Sequence, residues 1–448
     1  MEFRALQLIR IPETRRKIFT TLALLTAYRV GFHIPIPGVS PQFVKDAAEN
    51  ASGSVFGLMS AFTGAAVGQT VIFALGIMPY ISASIIFSVL AKVSPQIEAI
   101  QKEGASGQKK INQWTRLSVV PISLLQGIFI WFGVFQGIPG LVAEGQSGLG
   151  LMVVVVLSLT AGAILVMWIG ELITEYGIGN GASLIIMAGI IATMPSSIGQ
   201  VISGQPDDYW NTILKLAFIW LSIVLVIVFI QKGERRIPIQ YARLTRGRRV
   251  YGGQRHYLPL KVNMAGVMPI IFASALFIIP GVLLEIPALA WAPLKDTLTD
   301  QDGFVYIFLN MVLVFGFCFF WNNLMFRPDE IADNLREHGS FIPGIRPGAR
   351  TAEYLRGTLT RITLAGAVFL ALIAVLPNFI TANIPALSGN LAYFLGGTSV
   401  LIVVGVAMDL VDKLNAQLVM RNYEGFMKGK QGTGSGLGGG VGGWAKKG

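Results

Sequence analysis

From Ser54 to Leu90 the chain reads SVFGLMSAFTGAAVGQTVIFALGIMPYISASIIFSVL and carries no charged residue. A membrane-spanning helix needs about 20 apolar residues at ~1.5 Å each. The run is therefore too long for one span and too short for two spans with a loop between them. Its first part, Ser54 to Val67, is crowded with small residues and holds Gly57 and Gly64; Gly68 and Gln69 then break it before a second apolar run, Thr70 to Ala91. The pattern predicts a half-helix that enters a membrane without crossing it, followed by a full span. A helix lying flat on the membrane surface is the alternative that this stretch alone leaves open. Irregular backbone survives at membrane depth only where protein or a water-filled cavity supplies hydrogen-bond partners, so the half-helix reading requires an internal pore.

The rest of the chain places that stretch in an integral membrane protein, with 53% hydrophobic residues, 13% charged residues and a mean hydropathy of +0.62 over 448 residues. Long continuous apolar runs, in place of short alternating ones, select helices over a barrel. Ten spans are expected: Ile18 to Phe32, Thr70 to Ala91, Leu117 to Phe135, Leu151 to Ile173, Ala182 to Ile202, Thr212 to Ile230, Val262 to Leu284, Phe304 to Phe326, Leu359 to Leu376 and Ala392 to Val411. Ile227 is expected on a lipid-facing stretch of span six. The single cysteine, Cys318, excludes an intrachain disulfide framework. Arg15, Arg16 and Lys17 precede the first span, but no small-residue cleavage site follows it, so that span is expected to be retained.

The net charge of +11 is unevenly spread. Arg4, Arg10, Arg15, Arg16 and Lys17 lie before span one, and Lys92, Lys102, Lys109, Lys110 and Arg116 lie between spans two and three. The stretch after span six holds Lys232, Arg235, Arg236, Arg243, Arg246, Arg248, Arg249 and Arg255. The alternate loops are acidic, mixed or uncharged. Basic residues in short loops stay cytoplasmic, which puts both termini inside. Two halves of five spans each then run in opposite orientation, and inverted repeats often place a functional path at their interface. The expected division is 1–200, with spans one to five and the half-helix at 54–67, and 201–427, with spans six to ten and cytoplasmic loops at 232–260 and 327–356. A Gly-rich tail, 428–448, cannot bury enough apolar surface to order itself.

Enzyme and transporter signatures are missing from the residues themselves. Arg29, Glu171, Glu175, Asp409 and Asp412 fall near span ends, where they can snorkel to an interface. His33, His256 and His338 have no metal-ligand spacing, and no nucleophile has a base at a recognisable separation. GASG, Gly104 to Gly107, reads as a turn in a basic loop. The positive signal is cytoplasmic: Arg235 to Lys261 interleaves arginines with Tyr241, Tyr251 and Tyr257, a composition suited to phosphate or acidic-protein contacts or to anionic lipid. In RPDEIADNLREHGSFIPGIRPGARTAEYL, Pro and Gly punctuate a turn that presents Arg346. An inverted-repeat transporter of a small solute is the competing function; the broken helix favours it and the lack of mid-membrane charge opposes it.

Seven segments together resemble the SecY family, the channel subunits of the Sec protein translocase. They are IPIPG from Ile34, FALGIMPYISASII from Phe73, EGASGQKKINQWTR from Glu103, GIGNGASLII from Gly177, LPLKVNMAGVMP from Leu258, FIPGIRPGARTAEYL from Phe341 and GGTSVLIVVGVAMD from Gly396. They occur in family order and span nearly the whole chain. The resemblance implies an hourglass channel in the cytoplasmic (inner) membrane that passes unfolded polypeptides across it and releases hydrophobic segments sideways into lipid. The half-helix becomes a plug, with Ser54, Phe56, Gly57, Met59, Phe62, Gly64 and Val67. The waist becomes a ring of Ile77, Ile81, Ala182, Ile186, Ile271 and Ile402, in which Ala182 stands where a bulky aliphatic residue is usual. The sideways exit falls between spans two and seven, with Ser82, Gln126, Asn263 and Ile279. Arg243, Arg248, Arg249 and Arg346 are assigned to docking the ribosome or the SecA motor. SecE, SecG, signal sequences, preproteins and membrane lipids are implied companions, no cofactor is expected, and the channel is passive. Without the resemblance each isoleucine reads as ordinary packing.

Overall fold

A computed structural model of the chain describes residues 12–38, 71–135, 148–204, 209–241, 244–246, 249–251, 255–264, 266–273, 276, 303–383 and 397–432. Helices dominate: α1 Pro12–Gly31, α2 Met78–Val93, α3 Pro95–Lys102, α4 Ala105–Ile130, α5 Leu149–Tyr176, α6 Gly181–Gly204, α7 Tyr209–Gln231, α8 Phe304–Met325, α9 Pro328–Glu337, α10 Ala349–Asn383 and α11 Gly397–Gly432. Helical backbone also covers 268–273, so helix lies within each of the ten stretches expected to span. Among the described residues four helices are long and apolar enough to cross a membrane unaided, and the bent pair α2–α3, which turns through 98°, adds a fifth.

Burial follows the apolar sequence. At ~1.5 Å per residue α5 is about 42 Å long, and Val155, Val156, Leu159, Ala163, Val166, Met167, Ile169, Gly170 and Ile173 form its buried face. That face packs against α1, α4 and α6, so α5 is the central post of the first half.

Span two begins later than expected. Residues 71–77 form a bridge and turns, and α2 starts only at Met78. Gly76 takes φ +52°, a left-handed conformation that costs little without a Cβ. Pro79 then sits in the first turn, where its missing N–H is no loss. Hydropathy cannot see either constraint. The irregular backbone is held by protein: Val71 bridges Pro35, the Ile72 N–H donates to the Ile34 carbonyl at 3.2 Å, and the Ile72 carbonyl rests on Gly162 of α5, where a Cβ would collide. IPIPG thus holds the entrance of α2 through a single backbone bridge.

Other boundaries shift outward. α4 begins at Ala105, so most of the basic stretch expected as a loop continues the span as helix; in GASG only Gly104, at φ +76°, turns. α10 begins at Ala349 and α11 reaches Gly432, past Lys428, where the tail was expected to begin.

The stretch after span six folds into strands. β1 (Glu234–Tyr241) pairs antiparallel with β4 (Arg255–Lys261), and β2 (Leu244–Arg246) with β3 (Arg249–Tyr251) at the tip. Alternation in RIPIQ turns Ile237 and Ile239 inward. β1 also pairs with β5 (Ser340–Phe341), Gln240 opposite Phe341 and Tyr241 opposite Ser340. Ile237 and Leu260 of this sheet share one core with Phe326, Ile342, Leu355 and Leu359.

Ile227 is not lipid-facing. It is fully buried in a second cluster with Ile270, Val314, Leu370 and Leu401, while Leu225 and Phe229 on the same helix are 62% and 82% exposed. An all-apolar helix carries no polar face to tell its buried side from its lipid side.

Candidate functional site

The six waist positions come from four stretches far apart in sequence, and the fold brings them together. Ile77, Ile81, Ile186, Ile271 and Ile402 lie in one contiguous cluster of buried residues, with Ala182 packed against it. The isoleucines are 1–7% exposed, and Ala182 is half-buried. Each buried isoleucine contributes about 1.5–3 kcal/mol, so the cluster is held together by non-directional apolar packing.

Local structure sets each position. The Ile81 N–H donates to the Ile77 carbonyl at 3.1 Å, which stacks the two side chains on one face. At the entry to α6 the Asn180 side-chain oxygen accepts the Ala182 N–H at 3.0 Å and Thr174 Oγ1 accepts the Gly181 N–H at 2.9 Å. Thr21 of α1 accepts the Ile178 N–H at 3.1 Å. Gly181 lies against the Gly170 carbonyl with no room for a Cβ, and a Cβ on Gly170 would lie 3.4 Å from Ile77 Cδ1. GIGNGASLII is therefore a tight corner that seats the start of α6 on Gly170 of α5, with Ile185 and Ile77 both close to that glycine. In the second half a Cβ on Gly405 would come within 2.8 Å of Val267 Cγ1, so α11 approaches span seven closely and sets Ile402 beside the segment bearing Ile271. Thr21, Thr174, Asn180, Gly170 and Gly405 carry no functional signature in the sequence.

Chemically the waist offers nothing to an ion. A constriction without hydrogen-bond partners dewets and blocks water and ions, yet its contacts are non-directional and tolerate any side chain passing through.

The remaining site residues separate. Gln126 Nε2 and Ser82 Oγ lie 3.5 Å apart across α4 and α2, and the buried Gln126 Oε1 has no partner among the described residues. Asn263 is buried and donates to the Gly266 carbonyl at 3.0 Å; it lines a pocket with Asn322 and Thr363. Ile279 and the plug residues Ser54, Phe56, Gly57, Met59, Phe62, Gly64 and Val67 lie outside the described residues, as do Arg243 and Arg248. Arg249 stands in β3 opposite Arg246. Arg346 is exposed in a turn between Gly344 (φ +82°) and Gly348 (φ +100°). The charged span ends are engaged: Arg116 pairs with Glu171, Lys413 with Asp409 at 2.9 Å and Lys261 with Asp412 at 3.7 Å, and Arg29 sits 5.4 Å from the centre of the Phe32 ring.

The SecY family model matches residues 71–411. The protein translocase subunit SecY of Streptomyces coelicolor is 42% identical over 431 residues, covering 94% of this chain and 98% of the relative. That of Mycobacterium tuberculosis is 42% identical over 439 residues, with the same coverage. Among solved structures, one described as a protein conducting channel superposes with a TM-score of 0.63 at 18% identity, over 90% of this chain and 93% of that one. Sec61 in the canine ribosome-channel complex gives 0.59 at 17% identity, over 90% and 93%.

Proposed function

Since the chain belongs to the SecY family, we propose that it is the protein-conducting channel of a translocase, passing unfolded polypeptides through the apolar waist. The observation that carries this reading is the convergence of Ile77, Ile81, Ile186, Ile271 and Ile402, with Ala182, in one closed cluster. A solute transporter needs polar or charged groups where its substrate rests; the ring supplies apolar contact alone. We read the pore as passive, with energy supplied by SecA or a translating ribosome docked on Arg346 and on the arginines of the β1–β4 hairpin.

In this reading SecE and SecG complete the assembly, which lies in the cytoplasmic membrane with both termini inside. Spans one to five and six to ten form the two halves flanking the pore. Residues 54–67 plug it, and a sideways exit opens past Ser82 and Gln126 toward lipid when a signal sequence arrives. Reconstitution tests the function directly. Vesicles holding the chain with SecE and SecG, given SecA, ATP and a preprotein, are expected to accumulate protease-protected product. Failure of that transport, together with thermal stabilisation by a small solute, would favour the transporter.

A further inference from the structure

Between span seven and helices α8 and α10 lies a small pocket, lined by Val262, Asn263, Cys318, Asn322, Thr363 and Gly366 among others. It has about 10 Å³ of room for a water centre, which matches the ~10–15 Å³ that one water molecule requires. Asn322 is 93% buried, its exposure being 7%. Its Nδ2 donates to Thr363 Oγ1, while its Oδ1, also buried, meets no donor among the described residues. Turning the amide over exchanges the two atoms and orphans Nδ2 instead, so one polar atom is unpaired in either orientation. A buried orphan of this kind is destabilising unless something in the pocket satisfies it.

The pocket is built, not left over. Gly366 faces the Val262 carbonyl, where a Cβ would lie 2.6 Å from the oxygen, so only glycine on α10 lets the root of span seven approach this closely. Asn263 stands at that root, its own amide folded back onto the Gly266 carbonyl at 3.0 Å. The Asn322 amide and the Thr363 hydroxyl thus border a space of one water, with Asn263 and the weakly hydrogen-bonding Cys318 thiol on the same lining.

We propose that this pocket binds a single ordered water molecule, bridging the Asn322 amide to the Asn263 turn. The water ties the start of span seven to α8 and α10, upstream of Ile271 on the same segment. Asn322 is then a positioning residue for that segment, acting through the water.

The test uses the full chain with its partner subunits in lipid nanodiscs. A cryo-EM map that resolves ordered waters is expected to show a peak within hydrogen-bond distance of the Asn322 amide and of Thr363 or Asn263. Cys318, the only thiol in the sequence, lines the same pocket and gives a local readout through its alkylation by N-ethylmaleimide. Asn322→Leu, with the same number of side-chain heavy atoms, strips the water of a partner and is expected to raise the alkylation rate about tenfold, the equivalent of one net hydrogen bond; Thr363→Val is expected to act in the same direction. A dry pocket gives the opposite sign, because removing an unsatisfied amide relieves the site. No peak at Asn322 in the unaltered chain, or alkylation that is unchanged or slower in Asn322→Leu, overturns the proposal. If the variant does not fold, the map alone decides.

Discussion

The Thr351 hydroxyl donates to the Arg346 carbonyl at 2.9 Å, across a turn that two left-handed glycines bend. Thr351 is 2% exposed at the start of α10, so a rigid helix holds the backbone of an exposed arginine. A turn held in this way loses little backbone entropy on binding, which suits it to the docking role proposed for Arg346.

Arg346→Glu is expected to abolish transport driven by SecA and to weaken ribosome binding, because breaking a desolvated interfacial charge contact costs about 2–5 kcal/mol. Thr351→Val, which removes one hydrogen bond of about 1 kcal/mol, is expected to lower the same rates severalfold, with Thr351→Ser restoring them. Preprotein translocation into vesicles measures both. Full activity in Arg346→Glu would remove this turn from the docking surface.

Ring and lipid-facing positions should part company in planar-bilayer conductance. Ile81→Asn and Ile402→Asn give water a hydrogen-bond partner at the waist and weaken its packing by about 1–3 kcal/mol. That is enough to shift the closed-to-open ratio by one or two decades and to produce ion leak at rest. Phe229→Asn, at an 82% exposed position, is the control. Ile227 would be a poor one, since it is buried in the second cluster. Equal leak from ring and control variants would return the isoleucines to ordinary core.

At the α5–α6 corner, Gly181→Ala drives a methyl into the Gly170 carbonyl. Overpacking of this kind costs about 1–3 kcal/mol. The expected result is a lower thermal midpoint together with resting leak, because the displaced helix carries Ala182 and Ile186. Gly199→Ala, where a Cβ meets nothing within 4 Å, should change neither.

The Arg116–Glu171 pair joins α4 to α5 with side chains 51% and 24% exposed. Solvent screens a pair this open, so its coupling is expected at about 0.2–1 kcal/mol. A double-mutant cycle with Arg116→Gln and Glu171→Gln, read by thermal or denaturant unfolding, measures it. A coupling above about 2 kcal/mol would mean that the membrane interface shields the pair far more than its exposure suggests.

Long charge-free runs made the spans legible, because nothing else in a sequence demands so many consecutive apolar residues. The same uniformity hid what happens within them. Ile227 and Ile402 are alike in sequence, and only the helices packed around each decide that one lies in the second core and the other in the cluster with Ile77, Ile81, Ile186 and Ile271. The start of α2 was misread because Gly76 and Pro79 act through backbone geometry and not through hydropathy. The β1–β4 hairpin was within reach of the sequence, since Ile237 and Ile239 alternate with polar neighbours, but the density of arginine drew attention to charge. The ring was legible through family resemblance alone, and the corner glycines beneath it acquire meaning only beside the carbonyls they face.

β1 has a strand on either side: β4 from its own hairpin, and β5 from the segment that leads into the Arg346 turn. Through those shared backbone bonds the hairpin and the segment before the Arg346 turn are joined as one sheet. A force applied to the hairpin tip is delivered to the Arg346 turn, and a pull on that turn loads the hairpin in return. A machine pushing a chain through the pore would therefore find one stiff handle, rooted by Leu260, Phe326 and Leu359 in the ends of the helices below, whichever loop it gripped first.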